Sequence, residues 1–537
     1  MATPSGQDPQ PTASLKLPRF TVTPLAAGAL ALALVALLAA WAHLPVALQR
    51  PSWLDEIVGQ LIASDPRGLW HGMRTGADFQ PPVHYALMRI ADTVGGGATP
   101  AAARWPSVLA AILTIGMFTA ALRPSLSVAA AMAGALALAA HPLFLSQAIE
   151  ARPYALWIFA TVLTAEALRD GRRSRPWLLA VSAAVLCTAH YFGILSLTAL
   201  GIGLLVAGLA RHRPRAELAR SATPLLAGVI ALGALLPLAR VQLAATGGRS
   251  WVPPATMRQV ADFLEFPWGW RPAALLILAG ALVAVVRRLP IARPLPLVTP
   301  PRPVWSPVVL ALLATALVPL LVVGVSLAYK PVLVLRYAAP ATLAVATLTA
   351  IAVEALPAPA RWLAVLWLVR ATAFSFSSTA AAASTSTLQF ADEQRALRHL
   401  GTLGIATVSP FRHDAYAASA PQGATPVAWI ELSDALIERA ARTPAAGLSR
   451  DFLLVERDFG RAVHRAFDFP LMESAEALNA APVVALLRAP VHAAADSLWL
   501  PGRQACPLSN RLVVYSLPSA PVACADLQAA LQADSRR

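Results

Sequence analysis

Apolar residues in this 537-residue chain are gathered into blocks of about 18 to 22, the length at which an α-helix crosses roughly 30 Å of hydrocarbon. Hydrophobic residues make up 57% of the sequence and charged residues only 13%, against about 25% charged in an ordinary soluble domain. A soluble globular fold is therefore excluded. The expected class is a polytopic α-helical membrane protein.

The formal net charge is +15, and location decides what it means. Arginines stand in short runs between apolar blocks, such as Arg169, Arg172, Arg173 and Arg175, or Arg211, Arg213, Arg215 and Arg220. Such runs hold a loop on the cytoplasmic side of a membrane. A nucleic-acid surface would interleave basic and aromatic residues, and the sequence offers no such stretch, so no nucleic-acid partner is expected.

With Lys16 and Arg19 placed in the cytoplasm, alternation predicts about eleven spans, at about 25–42, 104–122, 125–140, 155–168, 177–190 and 192–210, one ending near Arg240, one ending at Arg287, then about 308–328, 338–355 and one opened by Arg361. Every dense arginine cluster then falls on one side. The first block exceeds the signal-peptide core of about 7 to 15 residues, so it reads as an uncleaved span even though Ala40-Trp41-Ala42 resembles a cleavage site. The chain divides into a cytoplasmic N-terminus over 1–20, a membrane domain over 21–378 with a first outer loop at 43–103, and an outer domain over 379–537. In that tail, apolar runs at 427–432, 452–455, 483–487 and 512–517 read as strands between helical pieces, a small extramembrane α/β domain. Cys506 and Cys524 flank one of these strands and can pair in an oxidising compartment, whereas Cys187 lies in an apolar run as plain packing. Many arginines with only two lysines suggest a GC-rich bacterial genome, which would put the protein in the inner membrane with its outer side in the periplasm. The chain has no internal repeat, no glycine-rich phosphate loop and no Cys/His cluster with metal-ligand spacing.

Polar groups at a membrane boundary are costly and so mark candidate site residues. On the expected topology they collect outside. Asp55 and Glu56 open the first outer loop, His84 and Tyr85 follow Gln80-Pro81-Pro82-Val83, and Arg104-Trp105 closes it. Glu150, Arg152 and Tyr154 lie in the second outer segment, His190 and Tyr191 end the fifth span, and Lys330, Arg336 and Tyr337 bracket the turn between the ninth and tenth. Neighbouring residues on a helix point about 100° apart, so Asp55 and Glu56 cannot both face one substrate atom. One acts and the other braces. A carboxylate at the boundary can accept a proton from an incoming hydroxyl, and Lys330, Arg336, Arg152 and the tyrosines offer donors to a phosphate. Base and cradle together suggest group transfer from a phosphate ester, which at a lipid–water boundary hangs on a lipid.

The ordered set Trp53-Leu54-Asp55-Glu56, Gln80-Pro81-Pro82-Val83-His84-Tyr85, Arg104-Trp105-Pro106-Ser107, Glu150-Ala151-Arg152-Pro153-Tyr154, His190-Tyr191-Phe192-Gly193 and Lys330 to Tyr337 resembles the membrane glycosyltransferases of family 39. That family shares the GT-C fold with protein O-mannosyltransferases and the aminoarabinose transferase of lipid A, and the likeness covers about residues 20 to 355. It implies an inverting transferase that takes sugar from a polyprenyl-phosphate donor on the outer face and passes it to a glycan, lipid or protein acceptor. It also implies that Asp55, of the pair Asp55 and Glu56, is the base. Fixed cations at Lys330 and Arg336 can do the work of a metal, so no metal or other cofactor is expected.

Blander readings stand beside these. Asp55 and Glu56 also suit the first turn of a surface helix. Lys330 can anchor to lipid headgroups, and His84 and His190 can simply pack. Trp53, Tyr85 and Trp105 belong in any interfacial aromatic belt. Asp262 and Glu265, with Trp251 and Trp268, fit an amphipathic interfacial helix. The rival function is a transporter or flippase for a lipid-linked sugar, which should show charges at mid-span and two related halves. Neither is present.

Overall fold

The computed structural model describes residues 44–45, 47–48, 52, 54–97, 99–169, 176–245, 252, 254–286 and 306–399, with the strands between 404 and 515 and residues 437, 523–525 and 529. The expected first span, the arginines at 172–175 and 287–302, Trp53, Trp251 and the expected strand at 452–455 lie outside the described residues.

Proline behind a small hydroxyl residue starts two of the helices. Thr99 caps Pro100–Leu122 by accepting from the Ala102 amide, and Ser306 does the same for Pro307–Ala314 from Val309. In each the proline sits in the first turn, where no amide hydrogen is missed. Five described helices are long and apolar enough to cross a membrane: Pro100–Leu122, Gly193–Ala210, Ala216–Ala244, Pro307–Ala328 and Ala358–Ala382. Val128–Ala140 and Pro142–Ala148 qualify together as one span bent by 66°. The bend falls at His141-Pro142, where the His141 ring caps the second piece and also bonds the Pro267 carbonyl at 2.9 Å. Tyr154–Ala167, Pro176–Ala189, Arg271–Val285 and Ala341–Ala355 are shorter apolar helices. Fourteen residues of helix cover only about 21 Å, so helix length does not establish the expected count of about eleven spans.

Small residues let these helices approach closely, as packing without a hydrophobic drive requires. A β-carbon on Gly280 would lie 2.5 Å from the Ala352 Cα, and one on Gly203 would lie 2.6 Å from the Ala311 Cα. Buried hydroxyls on Thr114, Thr161, Thr164, Thr347 and Thr349 return hydrogen bonds to carbonyls one turn back, which satisfies them without water. The Trp157 indole donates to Ser196 at 3.0 Å and ties two helices together.

The bundle carries charge at its two ends. Helix Pro100–Leu122, about 34 Å long, holds Arg104 near its start and is followed by Arg123. Around the Arg123 end, Arg169 reaches the Ala120 and Ala121 carbonyls, and Glu354 joins Arg361 to the Ser127 amide. The Arg104 end holds the candidate site.

Helix Ala358–His399 runs unbroken past residue 378, where the sequence reading sets the edge of the membrane domain. Beyond it lies a six-stranded sheet in the order Leu471–Met472, Ala428–Ile430, Gly404–Thr407, Val483–Arg488, Leu512–Tyr515, Ala505–Ser509, parallel across the first four and antiparallel thereafter. Three strands fall on runs expected from the sequence. Gly404–Thr407, Leu471–Met472 and Ala505–Ser509 do not, being short or broken by polar residues and proline. The helical part of an α/β domain lies largely outside the described residues. Cys506 and Cys524 form a disulfide with Cα atoms 5.3 Å apart, and Cys187 is a buried free thiol.

Candidate active site

Asp55 and Glu56 stand in the first turn of Leu54–Ser64, where carboxylates meet the positive end of the helix. Their 100° divergence sends them to different places. Glu56 is fully buried and accepts from Arg104 Nε at 2.9 Å, Arg104 Nη2 at 2.6 Å and the Ala151 amide at 2.8 Å. Arg104, equally buried, also donates to the Leu48 carbonyl at 2.6 Å. This clamp joins the loop helix, the Pro100 helix and the segment before Arg152, so Glu56 and Arg104 hold the site rather than face it.

Asp55 diverges from this clamp and keeps 18% of its side chain accessible. Its Oδ2 lies 3.0 Å from Arg336 Nη2 and 3.6 Å from Arg152 Nη2. Arg152 is almost wholly buried and fixed twice through Nη1, to Asp78 Oδ2 at 2.6 Å and to the Asp55 carbonyl at 3.0 Å. The Tyr85 hydroxyl donates to the same Asp78 oxygen at 2.6 Å. Asp78, to which sequence reasoning gave no role, is thus the counter-ion that locks Arg152. Its only signal was its place two residues before Gln80-Pro81-Pro82.

Aromatic rings form the floor. The Arg336 and Arg152 guanidinium carbons lie 5.6 and 6.0 Å from the Tyr154 ring centre, and Arg336 lies 6.0 Å from that of Tyr337, within cation–π range. His190 stacks on Trp157 at 4.5 Å, touches Tyr154 and Tyr337 at 5.3 and 5.8 Å, and accepts from the Phe192 amide. It is packing that sets the floor. The Tyr154 hydroxyl and Arg152 Nε are buried without a hydrogen-bond partner among the described residues. Two donors left open in this way are a costly arrangement that a bound acceptor group would relieve.

The remaining candidates flank this cluster. Tyr191 donates to Gln242 at 2.8 Å, and Gln242 in turn bonds the Gln80 carbonyl at 3.2 Å. Gln242, a buried amide near the end of an apolar helix, was also missed, and its polarity inside such a helix was the available sign. Burial pushes the His84 imidazole down to about 4, so it is neutral. Glu150 presents its carbonyl to the Arg152 amide at 2.8 Å. No ion pair or side-chain hydrogen bond joins Lys330 to another described residue, and partial burial lowers its pKa. Expected consequences differ accordingly. Arg336→Ala should cut activity about 10²-fold, whereas Lys330→Ala should change it less than about threefold, as read by initial rates.

Residues 79–239 match the family model described as dolichyl-phosphate-mannose-protein mannosyltransferase. No curated protein matches the chain by sequence. Among solved structures, ArnT from Cupriavidus metallidurans in the apo state superimposes with a TM-score of 0.59 at 12% identity, over 91% of this chain and 98% of that one. The same protein bound to undecaprenyl phosphate gives 0.59 and 12% over 93% and 99%. The chain has the GT-C fold of membrane glycosyltransferases.

Away from the Asp55 cluster, an open pocket of about 350 Å³ lies at the C-terminal end of helix Leu54–Ser64, with Ser64, Arg89, Asp92 and Thr93 among its lining residues. The Asp92 carboxyl is buried with both oxygens unpartnered among the described residues, and burial raises its pKa from 3.8 to about 6. A raised carboxyl binds its proton more tightly in the fold, so its contribution to stability is greatest below pH 3.8 and is lost as pH rises to about 6. Asp92→Asn should therefore flatten the fall in melting temperature of the detergent-solubilised protein between about pH 4 and 6.

Proposed function

We propose that this protein is an inverting glycosyltransferase that moves a sugar from a polyprenyl-phosphate donor to an acceptor hydroxyl on the outer face of the membrane. One observation carries the reading: Asp55 is partly open and flanked by two guanidiniums, whereas Asp78 and Glu56 are committed to Arg152 and Arg104. A fold alone does not fix an activity, so the argument rests on that geometry. The undecaprenyl phosphate bound to ArnT supports a lipid-phosphate donor.

Asp55 takes the proton of the acceptor hydroxyl as its oxygen attacks the anomeric carbon. The carbon–phosphate oxygen bond breaks on the opposite face, which inverts the centre. Arg336, with Arg152 Nε and the Tyr154 hydroxyl, meets the charge gathering on the departing phosphate. The cations are the protein's own, and the reading assigns no metal. The outer domain and the Cys506–Cys524 disulfide suit an oxidising compartment such as a periplasm, in keeping with a bacterial inner-membrane location.

The test uses protein reconstituted in nanodiscs, with lipid-linked sugars and acceptor material extracted from the source cells. Release of free undecaprenyl phosphate that requires both extracts is expected. Lipid-linked sugar that stays intact under all combinations contradicts the reading.

A further inference from the structure

We infer that the open pocket at the end of helix Leu54–Ser64 is a lipid site, which takes a phospholipid headgroup bearing both a primary ammonium and a phosphate. The inference does not depend on the transfer chemistry proposed above. Arg89, Asp92 and Thr93 stand three and four apart on helix Pro82–Val94, so they share the face that lines the pocket opposite Ser64. Asp92 is 8% exposed, and neither of its oxygens has a partner among the described residues. Its raised pKa of about 6 comes from burial, so the charged form predominates at neutral pH. A buried carboxylate without a counter-ion is costly, and an ammonium relieves that cost. The Ser64 and Thr93 hydroxyls give their protons to the Gln60 and Arg89 carbonyls, each at 2.8 Å, which leaves their lone pairs for a ligand. The Asp92 corner thus offers acceptors to the N–H groups of an ammonium. Arg89 spends Nη1 on the Ala63 and Asp65 carbonyls at 3.4 and 3.3 Å, and no protein acceptor meets its Nε or Nη2 among the described residues. Those two nitrogens suit a phosphate.

The surroundings point to a lipid as the carrier of these groups. Just past the helix, a β-carbon on Gly95 would lie 3.3 Å from the Ala102 β-carbon, in the first turn of the membrane-crossing helix Pro100–Leu122. The pocket therefore stands at a membrane boundary. Ile90 and Val94, four apart on the neighbouring face of helix Pro82–Val94, are 60% and 83% exposed. Bare apolar side chains beside a charged pocket fit a helix lying in the interface, with acyl chains against one face and a headgroup at the other. Gly96 and Gly97 complete the rim with positive φ values of 76° and 147°, and a β-carbon on either would meet no atom within 4 Å. An anionic headgroup without an amine would leave Asp92 unpaired, and a choline headgroup has no N–H to give it. A lipid held here braces one end of the helix that carries Tyr85, the donor to Asp78.

The test titrates the full-length, detergent-solubilised protein at neutral pH with phosphatidylethanolamine, phosphatidylcholine or phosphatidylglycerol, and reads bound lipid by native mass spectrometry. Wild type should bind phosphatidylethanolamine about tenfold more tightly than the other two, the order of effect of one charged hydrogen-bonded contact. Asp92→Asn should erase that preference. Arg89→Gln should weaken all three lipids, because each carries the phosphate. Equal binding of the three lipids by wild type overturns the inference without recourse to any variant. A preference that survives in Asp92→Asn overturns it too, since the ammonium is then recognised elsewhere. Unchanged binding by Arg89→Gln overturns the phosphate assignment. Free phosphoethanolamine that binds as tightly as the lipid overturns the assignment to a membrane lipid.

Discussion

Asp55→Asn should lower transfer by about 10²–10⁴-fold while leaving the protein folded, the range that loss of a positioned general base produces. The amide matches the carboxylate in shape, and its oxygen can still accept from Arg336. It cannot accept a proton at neutral pH. Initial rates of undecaprenyl phosphate release, paired with melting curves of the purified protein, separate the two effects. Retained activity would remove Asp55 from the chemistry.

Glu56→Gln should act on the neighbouring residue in the opposite way, by weakening the fold. Both Glu56 oxygens are engaged in a site with no solvent, and Arg104 would be left with a buried charge. Breaking one side of such a pair costs about 3–5 kcal/mol. Lower yield and an earlier melting transition are expected, with loss of activity following from unfolding. Replacing both Glu56 and Arg104 by Met should be tolerated better than either single change, because no charge is then stranded. Thermal denaturation of the three variants checks this. Similar melting of all three would show that the clamp contributes little.

The apolar blocks and the polar motifs at their ends made the membrane class and the neighbourhood of the site legible in the sequence. Both follow from strong local rules: hydrocarbon thickness fixes block length, and charge is costly inside it. The 100° rule foresaw that Asp55 and Glu56 would part, but not which turned inward, since that depends on Arg104 reaching across 48 residues. Asp78 and Gln242 carry only weak local signs, a place just before Gln80-Pro81-Pro82 and a polar group in an apolar helix, and their partners Arg152 and Tyr191 are distant in sequence. Lys330 looked like part of a phosphate cradle because it lies six residues before Arg336, yet sequence nearness did not bring it into the cluster. The short strands at 404–407 and 471–472 gave too few alternating residues to be distinguished from loop.

The central claim is that Asp55, Arg152 and Arg336 form one transfer site for a lipid-carried sugar. Its most direct test compares source cells lacking the protein, cells restored with wild type and cells restored with Asp55→Asn, by mass spectrometry of their envelope lipids, glycans and proteins. One sugar-sized mass should be missing in the deletion, return with wild type and stay missing with Asp55→Asn, while the lipid-linked sugar persists. Identical envelopes in all three, or full restoration by Asp55→Asn, would contradict the claim.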